Sequence, residues 1–398
     1  MRIIVDNGAY TLRNMGDVAM LQVALRRLRL QQPRAEFQIL TTRPDLLERY
    51  CPGTLPLAVE SRDAAYDPGR AAGSSRREVW ARLKRRCGIY PRRAREFREA
   101  LARADAVVVA GGGFLNDLNP WQTRAVLRML AEAGLRGRPT ALFSQGLGPL
   151  DNPVLVGLLG EACRAGARVA LREARRGPQI LTRAGAGREQ WVVTGDDALE
   201  LAWEHPLAAG GRAIGFSVRR TDYAGLQDPH LDGVRRAVER LAQRHQTRLV
   251  ALPISFNSFE DDSHTIARVV GLEAPAKPLD DPVAAIRAAG GCRLVVTGTY
   301  HAAVFALGQG IPCVCFYASP YYRDKMEGLA DQFPAGCEFV DLREAGAGER
   351  IEAAAERLWG RADELRASVK ARAGEQVALG RRFYEGLFQA KPCVIRAP

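Results

Sequence analysis

His301 stands where a side chain could carry out acid–base chemistry. It follows an apolar run that ends at Thr297 and opens a second apolar run at 302–306, so the pattern predicts a buried strand and then a helix with His301 in its first turn. The positive end of a helix lowers the pKa of an imidazole or orients it toward an anionic substrate. Such an imidazole can take up or deliver a proton near neutral pH. The alternative is a core histidine hydrogen-bonded to a backbone carbonyl.

Basic side chains follow two other predicted strands. Arg219 and Arg220 come directly after the apolar run 213–218, and a guanidinium at the carboxyl end of a strand can bind a carboxylate or phosphate through two parallel N–H bonds. Which of the two points inward stays open, as does the alternative that both lie on the surface. Lys325 follows the predicted strand at 313–316. It either lines the same site as His301 and Arg219 or lies on a surface helix.

A glycine cluster follows the apolar run 107–109. Gly112 and Gly113 belong to a triple glycine that allows positive φ and exposes backbone N–H groups to an anion or to sugar hydroxyls. Asp117 lies just beyond it, and Gln145 has the same placement after the next strand. The G-x-G-x-x-G spacing of dinucleotide sites and the Gly-Lys-Ser/Thr of phosphate loops are both missing. A tight turn alone is the alternative.

A further motif opens the first predicted helix. In Asn14-Met15-Gly16-Asp17, we expect Asp17 to cap the helix and Gly16 to let the backbone approach a ligand. Simple capping without any ligand is the alternative.

Alternating strands and helices must position these residues. Such alternation predicts parallel sheets with crossover helices. The strands are predicted at 2–6, 37–41, 106–110, 140–144, 169–171, 191–194, 213–218, 249–253, 294–297, 313–316 and 338–341.

The expected fold class is α/β, with two Rossmann-like domains whose mainly parallel sheets face each other across a cleft, a GT-B-like arrangement with the active site in that cleft. A break near residues 204–211 divides an N-terminal domain, 1–203 (the acceptor side), from a C-terminal domain, 212–345 (the donor side). A helical segment, 346–398, follows and packs back, with breaks expected near Gly374 and Gly380.

Composition excludes several classes of protein. Of 398 residues, 47% are hydrophobic and 26% charged, which is ordinary for a globular chain. No apolar run reaches the roughly 18 residues of a membrane span, and no signal peptide is recognisable, so we expect a cytoplasmic protein. The eight cysteines form no Cys-x-x-Cys pair, which predicts buried thiols rather than a zinc site or disulfides. We expect neither a metal nor a redox cofactor.

The positive charge is concentrated in one segment. The net charge is +12, and residues 76–103 contain eleven basic and three acidic side chains. One interpretation is a landing surface for an anionic partner, namely a membrane face, a lipid-diphosphate carrier or an acidic glycan. The other is a pair of surface helices with solvated basic faces. Nucleic acid is not expected, because no recognition motif accompanies the charge.

Several short motifs follow one another along the chain in a particular order. They are Asn14-x-Gly16-Asp17, the triple glycine with Asp117, Gln145-Gly146-x-Gly148-Pro149, Thr194-Gly195-Asp196-Asp197, Ser217-Val218-Arg219, and His301 before Phe305-Ala306-Leu307 and Gly310-Ile311-Pro312. In this order they resemble the polysaccharide pyruvyl transferase family, over residues 1 to 330. Members of that family transfer the pyruvyl group of phosphoenolpyruvate onto two hydroxyls of a sugar and form a cyclic ketal.

The resemblance implies roles for particular residues. His301 matches the key histidine and Arg219 the donor-binding arginine, so both are expected to be catalytic. The family usually has an Arg two residues before the histidine, where this chain has Thr299. Expected donor-binding residues are Arg220, Thr299, Tyr300 and Lys325, and expected acceptor-binding residues are Asn14, Asp17, Gly112, Gly113, Asp117 and Gln145.

The expected partners are phosphoenolpyruvate as co-substrate and a sugar or lipid-linked glycan as acceptor, within cell-surface polysaccharide or glycolipid synthesis. Membrane contact through 76–103 is a further expectation, and the sequence leaves the oligomeric state open. Two alternatives remain. One is a GT-B glycosyltransferase that uses a nucleotide-sugar donor, and the other is a non-catalytic relative that binds anions or glycans.

Overall fold

A computed structural model describes residues 1–66, 89–207, 211–258, 260–272 and 279–389. The chain forms two compact units. The first consists of Met1–Leu12, Ala24–Thr194 and Arg381–Pro398, and the second of Arg13–Val23 and Gly195–Gly380. The division differs from the consecutive segments expected from the sequence, because residues 13–23 and 195–203 group with the second unit and residues 381–389 with the first.

The first unit is built on a seven-stranded sheet in which every pairing is parallel. The strand order is β3-β2-β1-β4-β5-β6-β7. The inner strands are buried on both faces because crossover helices cover them, which explains their continuous apolar runs. The strands are β1 (Arg2–Asp6), β2 (Glu36–Thr41), β3 (Leu55–Ala58), β4 (Ala106–Val109), β5 (Thr140–Gln145), β6 (Arg168–Leu171) and β7 (Trp191–Val193).

Helices connect these strands. They are α1 (Met15–Gln31), which runs from the second unit into the first, α2 (Pro44–Tyr50), α3 (Val59–Tyr66), α4 (Ile89–Arg103), α5 (Pro120–Leu135), α6 (Pro153–Arg164) and α7 (Gly177–Arg183), with a 3₁₀ turn at Arg188–Gln190. The sequence missed β3, whose pattern is mostly exposed and contains a proline, as is typical of an edge strand.

The second unit has a five-stranded parallel sheet in the order β14-β13-β12-β8-β9, and a short antiparallel hairpin, β10-β11. The strands are β8 (Ala213–Ser217), β9 (Leu249–Ala251), β10 (Phe256–Asn257), β11 (Glu260–Asp261), β12 (Cys292–Thr297), β13 (Cys313–Tyr317) and β14 (Cys337–Asp341). The expected α/β class with two mainly parallel sheets is confirmed.

The helices of the second unit are α8 (Ala198–Glu204), α9 (Asp228–Arg244), α10 (Asp262–Val270), α11 (Pro282–Gly290), α12 (Tyr300–Leu307), α13 (Pro320–Gln332) and α14 (Ala347–Glu385), with a 3₁₀ turn at Asp222–Ala224. The helix α8 belongs to this unit because its buried residues, among them Leu199 and Ala202, join the second core.

The long C-terminal helix α14 is continuous, so the breaks expected near Gly374 and Gly380 are wrong. Val369, Ala373 and Val377 are buried along one side of it. Their burial outweighs the roughly 1 kcal/mol by which each glycine disfavours a helix. The end of the helix belongs to the first unit, where Tyr384 stacks on Phe143 with a centroid distance of 3.8 Å.

The basic segment is described only in part. Residues 76–88 lie outside the described residues, and with them six of the eleven basic residues of the expected landing surface. In α4, Phe97 and Leu101 are buried, while Arg92 and Arg93 are exposed. Membrane contact therefore stays a prediction. Within the described ranges, no helix combines the length and the apolar character needed to cross a bilayer.

The cysteines within the described ranges are free and buried, as the sequence predicts. Burial raises the pKa of the Cys163 thiol to about 11 and that of the Cys292 thiol to about 12. Both are therefore neutral thiols at physiological pH and behave as small core residues.

Candidate functional site

His301 lies at the carboxyl edge of the second sheet. It follows β12 and occupies the first turn of α12, as the sequence predicts. Its side chain is 9% exposed, and its Nε2 atom lies 3.7 Å from Oδ2 of Asp196 with no hydrogen-bond partner. The alternative of a core histidine bonded to a carbonyl is not observed at Nε2. The ring packs edge-on against the buried Tyr300.

The start of α1 meets this ring. A Cβ atom at Gly16 would overlap the Cγ and Nδ1 atoms of His301, so only glycine lets the helix approach this closely. The sequence predicted that Gly16 lets the backbone approach a ligand, whereas the group that it approaches in the structure is the His301 side chain of the same unit. Backbone bonds from Met15 N to Ile254 O (2.8 Å) and from Phe256 N to Arg13 O (2.8 Å) fix the segment there.

Asn14, not Asp17, caps α1. The Asn14 Oδ1 atom accepts from the backbone N–H of Gly16 at 3.1 Å and of Asp17 at 3.4 Å. The expectation that Asp17 caps the helix is wrong, because a capping side chain must precede the N–H groups that it accepts from. Asp17 is half-buried in the first helical turn. Both residues lie in the second unit with His301.

Asp196 is the carboxylate that faces His301. Its Oδ1 atom accepts from the N–H of Ala198 at 2.9 Å, which fixes the side chain at the start of α8 and leaves Oδ2 toward the imidazole. At 3.7 Å, Oδ2 stabilises a protonated ring electrostatically. Sequence reasoning included Asp196 in the motif Thr194-Gly195-Asp196-Asp197 but gave it no role. The signal available was its position directly after a strand and a glycine.

Arg219 is held by a buried carboxylate. It follows β8, and its Nε and Nη2 atoms donate to Oδ1 and Oδ2 of Asp262 at 2.8 and 3.0 Å. Asp262 also accepts from the N–H groups of Ile254 and Ser255 at 3.0 and 2.8 Å. The guanidinium is thus fixed in orientation, and Arg219 as a residue is only 8% exposed. Of the two arginines, Arg219 is the one that points inward. Sequence reasoning missed Asp262, which is distant in the chain.

The other expected donor-binding residues differ in placement. Arg220 lies at the surface and donates to Asp228 at 2.6 Å. Lys325 lies over the ring of Tyr321, 3.7 Å from the centroid, and bonds to its hydroxyl. Thr299 is buried between β12 and α12. The structure therefore brings Arg219, Thr299, Tyr300 and His301 to the carboxyl ends of the neighbouring strands β8 and β12, a region called the second edge below.

The glycine cluster lies at the carboxyl edge of the first sheet, at the ends of β1, β4 and β5, called the first edge below. Gly112 donates its N–H to Ser144 O at 3.4 Å and accepts from Gly146 N at 2.8 Å. The expected positive φ is not observed at Gly112 or Gly113. Glycine is needed at 112 for another reason, since a Cβ there would overlap the ring of Phe114.

Gln145 and Asp117 support the first edge. Gln145 is fully buried, and its Nε2 donates to Ala110 O at 2.7 Å and Phe143 O at 3.0 Å, while Oε1 has no partner. Asp117 accepts from the N–H of Asp151 at 2.6 Å and so ties two loops together. Nearby, the side-chain amide of Asn116 donates to Gly113 O at 2.8 Å.

A buried ion pair that sequence reasoning missed also lies at the first edge. Arg62 and Asp6 have fully buried side chains and are paired, and Arg62 bonds to the hydroxyl of Tyr10 at 2.6 Å. Burial raises the pKa of the Tyr10 phenol, which therefore stays neutral. Next to this pair, Asn7 donates from Nδ2 to Leu40 O at 2.9 Å, and its Oδ1 has no partner. In the described part of the chain, no group of three or more His, Cys, Asp or Glu side chains is arranged to hold a metal ion.

Solved structures with similar folds define the class. UDP-GlcNAc 2-epimerase from Neisseria meningitidis, bound to UDP-GlcNAc, is 11% identical with a TM-score of 0.56, covering 96% of this chain and 98% of its own. A glycosyltransferase from Rickettsia africae is also 11% identical, with a TM-score of 0.56 and coverage of 98% and 99%. The spinosyn rhamnosyltransferase SpnG is 14% identical with a TM-score of 0.51, covering 96% and 98%. The chain therefore has the GT-B fold of these glycosyltransferases and epimerases, as expected from the sequence.

Sequence comparison places the chain more narrowly. Residues 14–320 match the family described as polysaccharide pyruvyl transferase, so the chain belongs to that family. A search of curated proteins found no match. The resemblance seen in the ordered motifs is thereby confirmed.

Proposed function

We propose that this protein transfers the pyruvyl group of phosphoenolpyruvate onto two hydroxyls of a sugar in a cell-surface polysaccharide or glycolipid. The observation that carries the proposal is the buried His301 at the second edge, whose Nε2 has no hydrogen-bond partner and lies 3.7 Å from the Asp196 carboxylate. Membership of the polysaccharide pyruvyl transferase family supports it.

The reaction needs two proton transfers and one leaving group. One acceptor oxygen bonds to C2 of phosphoenolpyruvate while C3 takes up a proton and becomes a methyl group. The second acceptor oxygen then replaces the phosphate at C2, and inorganic phosphate leaves. Of the two hydroxyl protons, one balances the proton gained by C3 and the other leaves with the phosphate.

His301 handles a proton in this scheme. An imidazolium formed by taking the hydroxyl proton is stabilised by Asp196, and the same ring can return a proton to C3. Asp196 acts as a positioning residue, since Ala198 N–H fixes its other oxygen. General acid–base catalysis of this kind contributes about 10²–10⁴ in rate.

Arg219 supplies fixed positive charge for the donor. Phosphoenolpyruvate carries a carboxylate and a phosphate, and a guanidinium held in one orientation stabilises charge that develops on the adduct without having to reorient. Its bidentate contact with Asp262 provides that orientation. At the first edge, the amide oxygens of Asn7 and Gln145 have no partner and can accept hydrogen bonds from the hydroxyls of a sugar acceptor.

The test is mass spectrometry of candidate sugar acceptors after incubation with the protein and phosphoenolpyruvate. The expected result is an acceptor mass increased by pyruvate minus water, together with release of one inorganic phosphate per ketal. A parallel incubation with pyruvate in place of phosphoenolpyruvate is the control and should give no product. Absence of the adduct across polysaccharide and lipid-linked acceptors would count against pyruvyl transfer.

A second candidate is a glycosyltransferase with a nucleotide-sugar donor. Thr299 favours it, because a cation usual in the family is replaced by a hydroxyl, and the Neisseria meningitidis epimerase of the same fold was solved with UDP-GlcNAc bound. Titration calorimetry with phosphoenolpyruvate and a panel of nucleotide-sugars separates the two. Saturable binding of a nucleotide-sugar alone would select this second candidate.

A further inference from the structure

Three buried polar atoms at the second edge have no hydrogen-bond partner. They are Oγ of Ser217, Oγ1 of Thr299 and Nε2 of His301, on residues that are 0%, 2% and 7% exposed. A buried polar group without a partner is unfavourable, so such groups are rare and each calls for an explanation. Three of them near the ends of adjacent strands indicate that a bound ligand provides the missing partners.

Strand register places Ser217 beside Thr297, which comes two residues before Thr299. Ser217 is the last residue of β8 and is the lateral partner of Thr297 on β12, and Gly298 N donates to Ser217 O at 2.9 Å. The Thr297 hydroxyl donates to Thr299 O at 3.0 Å and accepts from Thr299 N at 2.8 Å. Lateral neighbours on one sheet face are about 5 Å apart at Cβ, so the Ser217 side chain lies beside that of Thr297, whose hydroxyl is bonded to the backbone of Thr299.

The same strand end leads into a helix N-terminus whose preceding side chain does not cap it. Thr299 is the N-cap residue of the eight-residue helix α12, yet its side chain makes no capping bond. In the same unit, Asn14 caps α1 and Ser319 caps α13 through their side chains. The N–H groups in the first turn of a helix have no intrahelical acceptor and, with the helix dipole, attract anions.

We infer that Ser217, Thr299, His301 and the first turn of α12 form an oxyanion pocket, which receives the phosphate or carboxylate group of the donor. This inference rests on the proposed function and adds to it. Hydroxyl groups and an imidazole N–H donate hydrogen bonds, and phosphate and carboxylate oxygens accept them. The pocket therefore uses neutral donors at the position where related sequences usually have an arginine.

Binding by neutral donors has a measurable consequence. An added guanidinium attracts an anion through a full charge that salt screens, whereas a hydroxyl acts only at hydrogen-bond distance. Thr299→Arg should therefore steepen the salt dependence of anion binding. Thr299→Val and Ser217→Ala should weaken binding without changing that salt dependence.

The experiment is equilibrium binding of phosphoenolpyruvate, inorganic phosphate and pyruvate, measured by calorimetry, to the wild type and to Ser217→Ala, Thr299→Val and Thr299→Ser. Each lost hydroxyl should raise the Kd of phosphoenolpyruvate about tenfold, and Thr299→Ser should retain wild-type affinity. If the variants also lose affinity for inorganic phosphate but not for pyruvate, the pocket binds the phosphate group of the donor. If they lose affinity for pyruvate but not for phosphate, it binds the carboxylate.

A matched control is available in the first unit. Thr140 is 2% exposed, its Oγ1 also has no partner, and it begins β5 at the opposite end of its strand from the first edge. Thr140→Val should leave all three affinities unchanged. Thermal unfolding of each variant shows whether it remains folded.

Failure of the pocket and failure of the proposed function give different results. Wild-type affinity for phosphoenolpyruvate in both Ser217→Ala and Thr299→Val, with ketal formation intact, overturns the pocket alone. Weakened phosphate or pyruvate binding in these variants, with no ketal formed by the wild type, supports the pocket and overturns pyruvyl transfer. A wild type that binds none of the three anions overturns the pocket.

Discussion

The two sheets end in polar edges with opposite hydrogen-bonding character. At the first edge, the unpartnered atoms on Asn7 and Gln145 are amide oxygens, because their nitrogens already donate to backbone carbonyls. At the second edge, the unpartnered groups on Ser217, Thr299 and His301 can all donate. An edge with unpaired acceptors suits ligands rich in hydroxyls, and one with unpaired donors suits oxyanions.

Each edge also contains a buried arginine paired with an aspartate, and the pairs differ in setting. The side chains of Arg62 and Asp6 are fully buried, and Arg62 also donates to the hydroxyl of Tyr10. Arg219 keeps 10% of its side chain exposed, while Asp262 has none. The first pair is therefore a structural element within the core. The second holds a guanidinium in place at an accessible position. Four substitutions sharpen or break this contrast.

The largest expected effect is on stability, at the sealed pair. Asp6→Ala removes the fully buried partner of Arg62 and leaves the guanidinium with Asp63 (2.7 Å from Nη2) and Tyr10, which should lower the free energy of unfolding by up to about 3–5 kcal/mol. Urea denaturation followed by circular dichroism measures it. Glu364→Ala, which breaks the exposed pair with Arg361, is the control and should change little. An unchanged urea midpoint for Asp6→Ala would show that the first pair is not structural.

Removal of the imidazole should act on turnover instead. His301→Ala is expected to lower kcat for ketal formation by about 10² or more, because the proton-handling group is lost, while thermal unfolding stays near that of the wild type. His264 is exposed on α10, and His264→Ala is the control. Turnover of His301→Ala at the wild-type rate would remove His301 from the mechanism.

A smaller loss is expected from Gly16→Ala. The added methyl group requires the His301 ring to move, and displacements of about 1 Å at a reacting group can cost up to about 10² in rate. We expect kcat to fall by about 10-fold or more, with a smaller change in KM. Gly360→Ala in α14 is the control, because a Cβ there meets nothing within 4 Å. Equal kcat values for both variants would contradict a positioning role for Gly16.

The smallest effect is expected at the first edge. Gln145→Met keeps the size of the side chain but removes Oε1 together with Nε2, which donates to Ala110 O and Phe143 O. KM for the sugar acceptor should rise about fivefold to tenfold, with the Kd of phosphoenolpyruvate unchanged. Gln190→Met is the control, since both ends of Gln190 are already bonded to backbone groups. A change in donor affinity with unchanged acceptor KM would reverse the assignment of the two edges.

The sequence predicted the edges better than the contacts within them. Strand ends and the first turn of α12 follow from local periodicity and glycine placement, so His301 and Arg219 could be located. The contacts Gly16–His301, Asp196–His301 and Arg219–Asp262 join segments far apart in the chain. Local patterns carry no information about such pairs.

Capping and glycine use were harder to predict. Asn14 and Asp17 are both good capping residues, and only the position where α1 begins decides between them. Gly112 was expected to have positive φ, whereas the structure uses its small size beside Phe114. The same residue type serves both purposes, so composition alone does not separate them.

The most direct test of proton handling at the second edge is the reaction in D₂O. The isotopic content of the ketal methyl group would be read by mass spectrometry for the wild type and for His301→Ala. If His301 delivers the proton to C3, the wild type forms a ketal whose methyl group contains one deuterium. The variant then forms almost no deuterated ketal in the same time. A variant that makes the deuterated ketal as fast as the wild type would contradict this role.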